Sequence, residues 1–250
     1  MTKFCSLLSG GKDSNYALYR ALMEGLEPAC ILVAKPLRSD SWMFHVPNVD
    51  LALLQVQAMG LEEYAERVTV SGVKEREVEE IAEALRRAKR RIGFDVIVVG
   101  AVASRYQYER ISRIADELGV DVYAPAWMIN QEDYMRLLVK EGFQFIITKI
   151  STLGLPPRLM TTVIDYERVE EIIRLARKYG FNPSFEGGEA ETLVLKAPHY
   201  KKTLCVEGSI KQVGPYEYEL DVVKAWLSDA GEPRNCLSIY ESFTVRHSVL

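Results

Sequence analysis

This sequence predicts an α/β fold: a doubly wound five-stranded parallel sheet of Rossmann-like type, followed by a second, smaller α+β domain. Three observations carry the expectation. Short apolar runs alternate with helical patterns through the first half of the 250 residues. Ser9-Gly10-Gly11-Lys12-Asp13-Ser14 falls directly between the first apolar run and the first helical stretch. Beyond Trp127 the alternation lapses and the chain becomes strand-rich. Runs of strands separated by helices are the signature of parallel sheets covered on both faces.

The elements justify themselves in order. Phe4-Cys5-Ser6-Leu7-Leu8 reads as a buried strand, and Tyr16 to Met23 as an amphipathic helix stopped at Gly25. Ala29 to Ala34 is the second strand, followed by a loop from Lys35 to Asn48 and a helix from Val49 to Met59. Glu66 to Val70 is the third strand. The helix from Glu77 to Arg91 carries acids early and bases late, as the helix dipole favours. Asp95 to Val99 is a strand of fully buried type ending at Gly100; a helix spans Tyr106 to Leu118, and Val120 to Ala124 is the fifth strand. A boundary near Trp127 divides the chain into 1–127 and 128–250. The second part holds a helix from Asn130 to Glu141, a short strand at Phe145-Ile146-Ile147, and a helix from Tyr166 to Tyr179 capped by Asp165. Strands follow at 192–195, 202–206 and 216–220, and residues 223–250 yield no legible chemistry.

The first loop is an anion-site candidate. Ligands of such sheets bind beyond the carboxyl ends of the strands. Adjacent glycines allow a tight turn and close approach to a ligand. The first-turn N–H groups of the following helix lack intrahelical partners and attract phosphate. Ser9 and Ser14 add hydroxyl donors and Lys12 a positive charge. Asp13 repels phosphate unless a cation intervenes, which suggests Mg²⁺ at Asp13. The loop lacks the GxxxxGK[ST] spacing of a Walker A motif.

Composition narrows the class. The hydrophobic fraction of 48% supports an ordinary core, and a net charge of −4 argues against a nucleic-acid-binding surface. The cluster Arg86, Arg87, Lys89, Arg90, Arg91 reads either as a solvated helix end or as a basic patch. The four cysteines form no CxxC pair, and Cys5 and Cys30 are expected as reduced core residues. Neither a signal peptide nor a membrane span is legible, so a cytoplasmic protein is expected.

A second motif is Phe185-Glu186-Gly187-Gly188-Glu189-Ala190-Glu191-Thr192. Three carboxylates around two glycines form either a substrate or metal loop facing the nucleotide, or a solvated acidic turn. Glu189 and Glu191 share one face if the strand begins at Glu189. His45 is a proton-donor candidate or a structural loop histidine. Ser104, Tyr106 and Arg110 follow the fourth strand, where they could reach a ligand, although Arg110 equally suits pairing with helix acids.

The hexapeptide Ser9–Ser14 resembles the PP-loop of the N-type ATP pyrophosphatases. That resemblance implies a flavodoxin-like strand order, adenine near strand two, and pyrophosphate on the loop. Together with Trp42-Met43-Phe44-His45-Val46-Pro47-Asn48, with Gly100 to Gln107 and with Glu186 to Leu195, it resembles the diphthine–ammonia ligase family. Departures from the family pattern fall at Ala115, Ala190 and Lys196-Ala197-Pro198. The resemblance implies ATP-dependent amidation of diphthine on translation elongation factor 2 with ammonium, through an acyl adenylate, giving diphthamide, AMP and pyrophosphate. It implies Ser9, Gly10, Gly11, Lys12, Asp13, Ser14 and Gly100 at the nucleotide. Lys12, Asp13, Glu189 and Glu191 are the expected catalytic groups, and His45, Asn48, Ser104, Tyr106, Glu186, Gly187, Gly188 and Thr192 the expected substrate contacts. No region is long enough for a separate glutaminase, which favours free ammonium. The competing readings are a PP-loop tRNA-modifying enzyme and a non-catalytic adenine-nucleotide sensor.

Overall fold

β1 (Lys3–Leu8) is the central strand of the first sheet, flanked by β2 (Glu27–Pro36) and β4 (Val96–Val98), with β3 (Ala65–Val70) and β5 (Asp121–Tyr123) at the edges. The structure is a computed structural model describing residues 1–36, 51–70, 74–102, 105–229 and 231–241. All four strand pairings are parallel, and the order is β3-β2-β1-β4-β5. The chain therefore reverses its progress across the sheet beside β1, so the loop that follows β1 lies at the topological switch point.

Successive side chains along these strands serve two cores, because a strand alternates its faces. Phe4, Leu8, Ile31, Val33, Val96 and Val98 join α1 (Lys12–Met23) and α2 (Leu51–Met59). Cys5, Cys30, Leu32 and Ile97 join α3 (Lys74–Arg91) and α4 (Arg105–Leu118) on the other face. The sheet is doubly wound, as expected.

The second sheet has the order β10-β8-β9-β6-β7 and is antiparallel except for the parallel β8–β10 pair. Its strands are β6 (Gln144–Ser151), β7 (Ala190–Lys196), β8 (Thr203–Gly214), β9 (Glu217–Ser228) and β10 (Leu237–Glu241), with helices α5 (Gln131–Lys140) and α6 (Tyr166–Tyr179). Asn130 caps α5 by accepting from the amides of Glu132 and Asp133, each at 3.1 Å. Asp165 caps α6, and Gly180 closes it in the left-handed conformation, φ 79°. The core on the α1/α2 side runs on without a break through Tyr134, Leu138, Ile146, Ile150, Ile172, Val194 and Val206, so both sheets share it.

Several strands are longer than the apolar runs that announced them. β6 continues past Ile147 because Lys149 is satisfied by Glu219 at 2.9 Å across β9. The expectation that residues 223–250 hold nothing legible gives way in part, since β9 runs to Ser228 and β10 pairs with β8. β10 alternates half-buried Leu237 and Ile239 with exposed Ser238 and Tyr240, so it offers no continuous apolar run.

The cysteine expectation is overturned. Cys5 and Cys30 are joined by a disulfide, as are Cys205 and Cys236. The register sets Cys5 opposite Cys30 across β1 and β2, with both side chains on the α3/α4 face. Such pairing depends on register, which cysteine spacing does not encode. Among the described residues no helix is long and apolar enough to cross a membrane.

His199 is wedged among aromatic rings: stacked on Tyr19 at 5.5 Å, and 5.0 Å and 6.2 Å from Tyr200 and Phe143. Both ring nitrogens are buried without hydrogen-bond partners, and burial pulls the imidazole down to about 3. Because the folded-state value lies below the unfolded one, the unfolded chain binds the extra proton first. Stability is then lost as pH falls from about 6.5 towards 3. Urea titrations at pH 7 and pH 4.5 are expected to show wild type losing roughly 2–3 kcal/mol more than His199→Phe. Equal losses would remove His199 from the acid sensitivity.

Candidate functional site

The turn between β1 and α1 is built by one special backbone position. Gly10 has φ 91°, which favours glycine, whereas Gly11 is extended (φ −74°, ψ 168°) and caps α1 without a side-chain bond. The serines brace the turn from within: Ser9 Oγ and Ser14 Oγ lie 3.0 Å apart, and the Ser9 amide donates to Ser14 Oγ at 3.2 Å. The amides of Asp13 and Ser14 belong to the first turn and have no intrahelical carbonyl to meet, so a positive helix end is presented at the switch point. This donor set suits phosphate oxygens. Gly100 packs directly on the same turn. A Cβ there would fall 2.4 Å from the Ser14 nitrogen and 2.5 Å from the Asp13 carbonyl carbon.

Lys12 and Asp13 form a pair that faces the second half of the chain. Lys12 is only 2% exposed. Its ammonium donates to both Asp13 carboxylate oxygens, at 2.8 and 3.0 Å, and to the Ser184 carbonyl at 2.6 Å. It also lies 5.7 Å from the centre of the Phe185 ring. The Tyr134 hydroxyl donates to Asp13 Oδ1 at 2.9 Å. Burial, with the Asp13 carboxylate second, holds the Tyr134 hydroxyl well above its ordinary value, so it remains a donor. The repulsion that suggested a metal at Asp13 is answered here by the Lys12 ammonium. Among the described residues no group of three or more His, Cys, Asp or Glu could hold a metal ion.

A buried polar chain ties the turn to β7 and to Tyr200, in the connection that follows it. The Lys12 amide donates to Thr192 Oγ1 at 3.1 Å, and the Val194 amide to the Gly10 carbonyl at 3.1 Å. Gln55 Nε2 donates to the carbonyls of Gly10 and Val194, at 2.9 and 2.7 Å. Asn15 Nδ2 donates to the Gly11 carbonyl at 3.0 Å and its Oδ1 accepts from the Tyr200 hydroxyl at 2.7 Å. Buried amides of this kind are retained where every polar group finds a partner.

The acidic segment approaches the turn through its backbone and Thr192 rather than through Glu189 or Glu191. The Glu189 carboxylate accepts from the amides of Gly187 (2.8 Å) and Asn182 (3.0 Å), shaping its own loop. A Cβ on Gly187 would sit 2.6 Å from Glu189 Oε1, so a side chain there would displace that carboxylate. Phe185 (φ 67°) and Gly188 (φ 86°) are left-handed. Glu191 sits opposite Lys149 on β6; its Oε2 is buried and unpartnered, and burial raises its carboxyl, with Lys149 pulling the other way. Glu189 and Glu191 thus engage different partners instead of forming one carboxylate pair. Glu186 is half-buried, and Gly187 and Gly188 are exposed at the loop tip.

The expected contacts His45, Asn48 and Ser104 lie outside the described residues, as does the side chain of Tyr106. In the basic cluster, Arg86 pairs with Glu79 and Glu117, and Arg91 with Glu66, as a solvated helix end would. Sequence reasoning missed Tyr134, Ser184, Gln55, Asn15 and Tyr200. Two of them left a signal. Gln55 and Gln57 interrupt an otherwise apolar helix, Leu51–Met59, with Gln55 the buried one, and Tyr134 lies on the buried face of α5, where its hydroxyl needs a partner.

Comparison with known proteins agrees in extent with this architecture. Residues 2–122 match the diphthamide synthase N-terminal domain, and residues 130–231 the diphthamide synthase C-terminal domain. The human diphthine–ammonia ligase is 30% identical over 225 residues, covering 83% of this chain and 84% of its own. The mouse protein of the same name is 29% identical over the same shares, and the zebrafish one 27% identical over 81% and 86%. A solved structure, a predicted subunit of tRNA methyltransferase from Methanocaldococcus jannaschii, superposes with a TM-score of 0.41 at 16% identity, covering 79% of this chain and 98% of its own. Two domain matches and relatives of one name, matched over most of their own length, lead to one conclusion: the chain is a ligase that forms a carbon–nitrogen bond and belongs to the diphthine–ammonia ligase family.

Proposed function

We propose that this protein converts diphthine on translation elongation factor 2 to diphthamide, using ATP and ammonium and releasing AMP and pyrophosphate. The observation that carries the reading is the Ser9–Ser14 turn. It joins a helix N-terminus, serine hydroxyls and a lysine at the switch point of a parallel sheet, with a second layer of residues, Tyr134, Ser184 and Thr192, walling one side. A free carboxylate does not yield to ammonia at neutral pH, because oxide is a hopeless leaving group. In this reading the diphthine carboxylate oxygen attacks the α phosphorus, the bond to the bridging oxygen breaks, and pyrophosphate leaves. Ammonium gives up a proton to solvent, its nitrogen forms the new bond to the acyl carbon and releases a second proton to solvent, and AMP departs with the bonding pair.

The protein's part is to position the reactants, neutralise charge and exclude water. Backbone amides at the start of α1 and the hydroxyls of Ser9 and Ser14 bind phosphate oxygens, and Lys12 offsets charge on the leaving pyrophosphate. Gly10, Gly11 and Gly100 keep side chains out of this corner. Mg²⁺ enters with the phosphates, and Asp13 is the carboxylate placed to meet it. In this reading Glu186, Gly187, Gly188, Glu189, Glu191 and Thr192 serve the acceptor, and the family resemblance adds His45, Asn48, Ser104 and Tyr106 as acceptor contacts. A cytoplasmic place follows from an acceptor that works in translation.

The test supplies ATP, Mg²⁺, ammonium and diphthine-bearing elongation factor 2, follows nucleotides by chromatography, and weighs the acceptor peptide by mass spectrometry. AMP together with the amidated peptide is expected. ADP as the main product would overturn the mechanism; AMP formed with tRNA alone would favour the RNA-modifying reading; tight ATP binding without turnover would favour a sensor.

A further inference from the structure

We propose that Tyr134 is a positioning residue for this ATP reaction: its hydroxyl fixes the Asp13 carboxylate and, through it, the Lys12 ammonium. The inference rests on the proposed function above. Tyr134 is fully buried in α5, and its ring is held edge-on by Tyr16, centroids 5.4 Å apart at 76°. Its hydroxyl therefore has little freedom, and it is spent on Asp13 Oδ1 at 2.9 Å, a residue 121 positions away in the chain.

Asp13 needs such a support. Its side chain keeps 24% exposure, so solvent competes for its oxygens and leaves its rotamer free to swing. Lys12 cannot supply that support alone, because a long flexible stem follows whatever anchors its end. The Ser184 carbonyl takes one ammonium proton at 2.6 Å, and Asp13 takes the rest. Three groups from two regions of the chain thus define where one positive charge stands: Ser184 and Tyr134 from the second region, Asp13 from the first. A charge that must meet pyrophosphate as it departs is effective only if it is already in place. When the ammonium turns to a phosphate oxygen, the Tyr134 hydroxyl is the donor that stays with Asp13 and keeps its carboxylate from following.

The experiment compares full-length wild type, Tyr134→Phe, Lys12→Ala and the double variant. It measures pyrophosphate release as kcat and KM for ATP, ATP affinity by calorimetry, and melting temperature. Tyr134→Phe keeps the ring and its packing. It is expected to lower kcat about ten- to a hundredfold, as small misplacements of a reacting group do, while ATP affinity stays within about threefold. Because Tyr134 acts through the Lys12–Asp13 pair, the double variant is expected to match Lys12→Ala within about twofold. A residue that serves only the fold would lower the melting temperature and multiply its loss onto that of Lys12→Ala. Unchanged kcat in Tyr134→Phe, or multiplied losses in the double variant, would overturn the inference while an active wild type leaves the proposed function standing. A wild type that releases no pyrophosphate overturns both.

Discussion

Replacing Gly100 with alanine is expected to unseat the first turn of α1 and to cost roughly 3 kcal/mol of stability or more. The added Cβ would lie 2.4 Å from the Ser14 nitrogen and 2.5 and 2.7 Å from the Asp13 carbonyl carbon and oxygen. All three are backbone atoms, so no side-chain rotation relieves the overlap. Either the end of β4 or the start of α1 must shift, and the second outcome moves the amides offered to phosphate. For a chain of this size the melting temperature should fall by roughly 6–12 °C. ATP affinity should fall by about tenfold or more in a calorimetric titration, since one turn's displacement misaims several donors together. Gly93→Ala is the control. Gly93 has φ 74° but open space around it, so only the backbone cost of about 1 kcal/mol applies. Equal effects at both positions would show that Gly100 owes its place to conformation rather than to close approach.

Lys12→Ala is expected to lower the rate of pyrophosphate release by about 10²–10³-fold with a much smaller change in ATP affinity. A charge aimed at developing negative charge contributes most in the transition state. The same substitution leaves the Ser184 carbonyl without its donor and Asp13 with Tyr134 alone, so a stability loss of about 1–3 kcal/mol should accompany it. Steady-state kinetics separates the two effects. If only the KM for ATP rises, Lys12 is a ground-state contact and the charge-neutralising role is wrong.

The first sheet was legible because its strands are short apolar runs separated by helical stretches that end near Gly25, Gly60, Gly93 and Gly119. The turn at Ser9–Ser14 was legible because its residue types and its place between strand and helix both point to anions. What sequence could not convey was pairing over distance. Cys5 with Cys30 depends on the register of two strands, and Cys205 with Cys236 on a parallel strand that adds late in the chain. The acidic segment was found, but not the direction of its side chains. Glu189 folds back onto the Gly187 and Asn182 amides because a loop with exposed glycines leaves donors within reach. Lys149 hid most of β6, since a charge in a run reads as an end until a partner such as Glu219 is seen beside it. Tyr134 and Gln55 looked like core residues, which they are; only the fold reveals that their polar ends close on Asp13 and Gly10.

The contacts between the turn and β7 join residues 180 positions apart, Lys12 with Thr192. A ribosome adding about 5–20 residues per second needs roughly 10–40 s to travel between them. Throughout that interval the emerging Ser9–Ser14 segment has no Thr192, Val194 or Tyr200 to lean on, and the polar groups of Gly10, Asn15 and Gln55 must be served by water. The braced form of the turn is therefore a property of the completed chain rather than of the nascent first sheet. A transcript truncated ahead of β7 would yield a chain carrying the signature hexapeptide yet unable to set it.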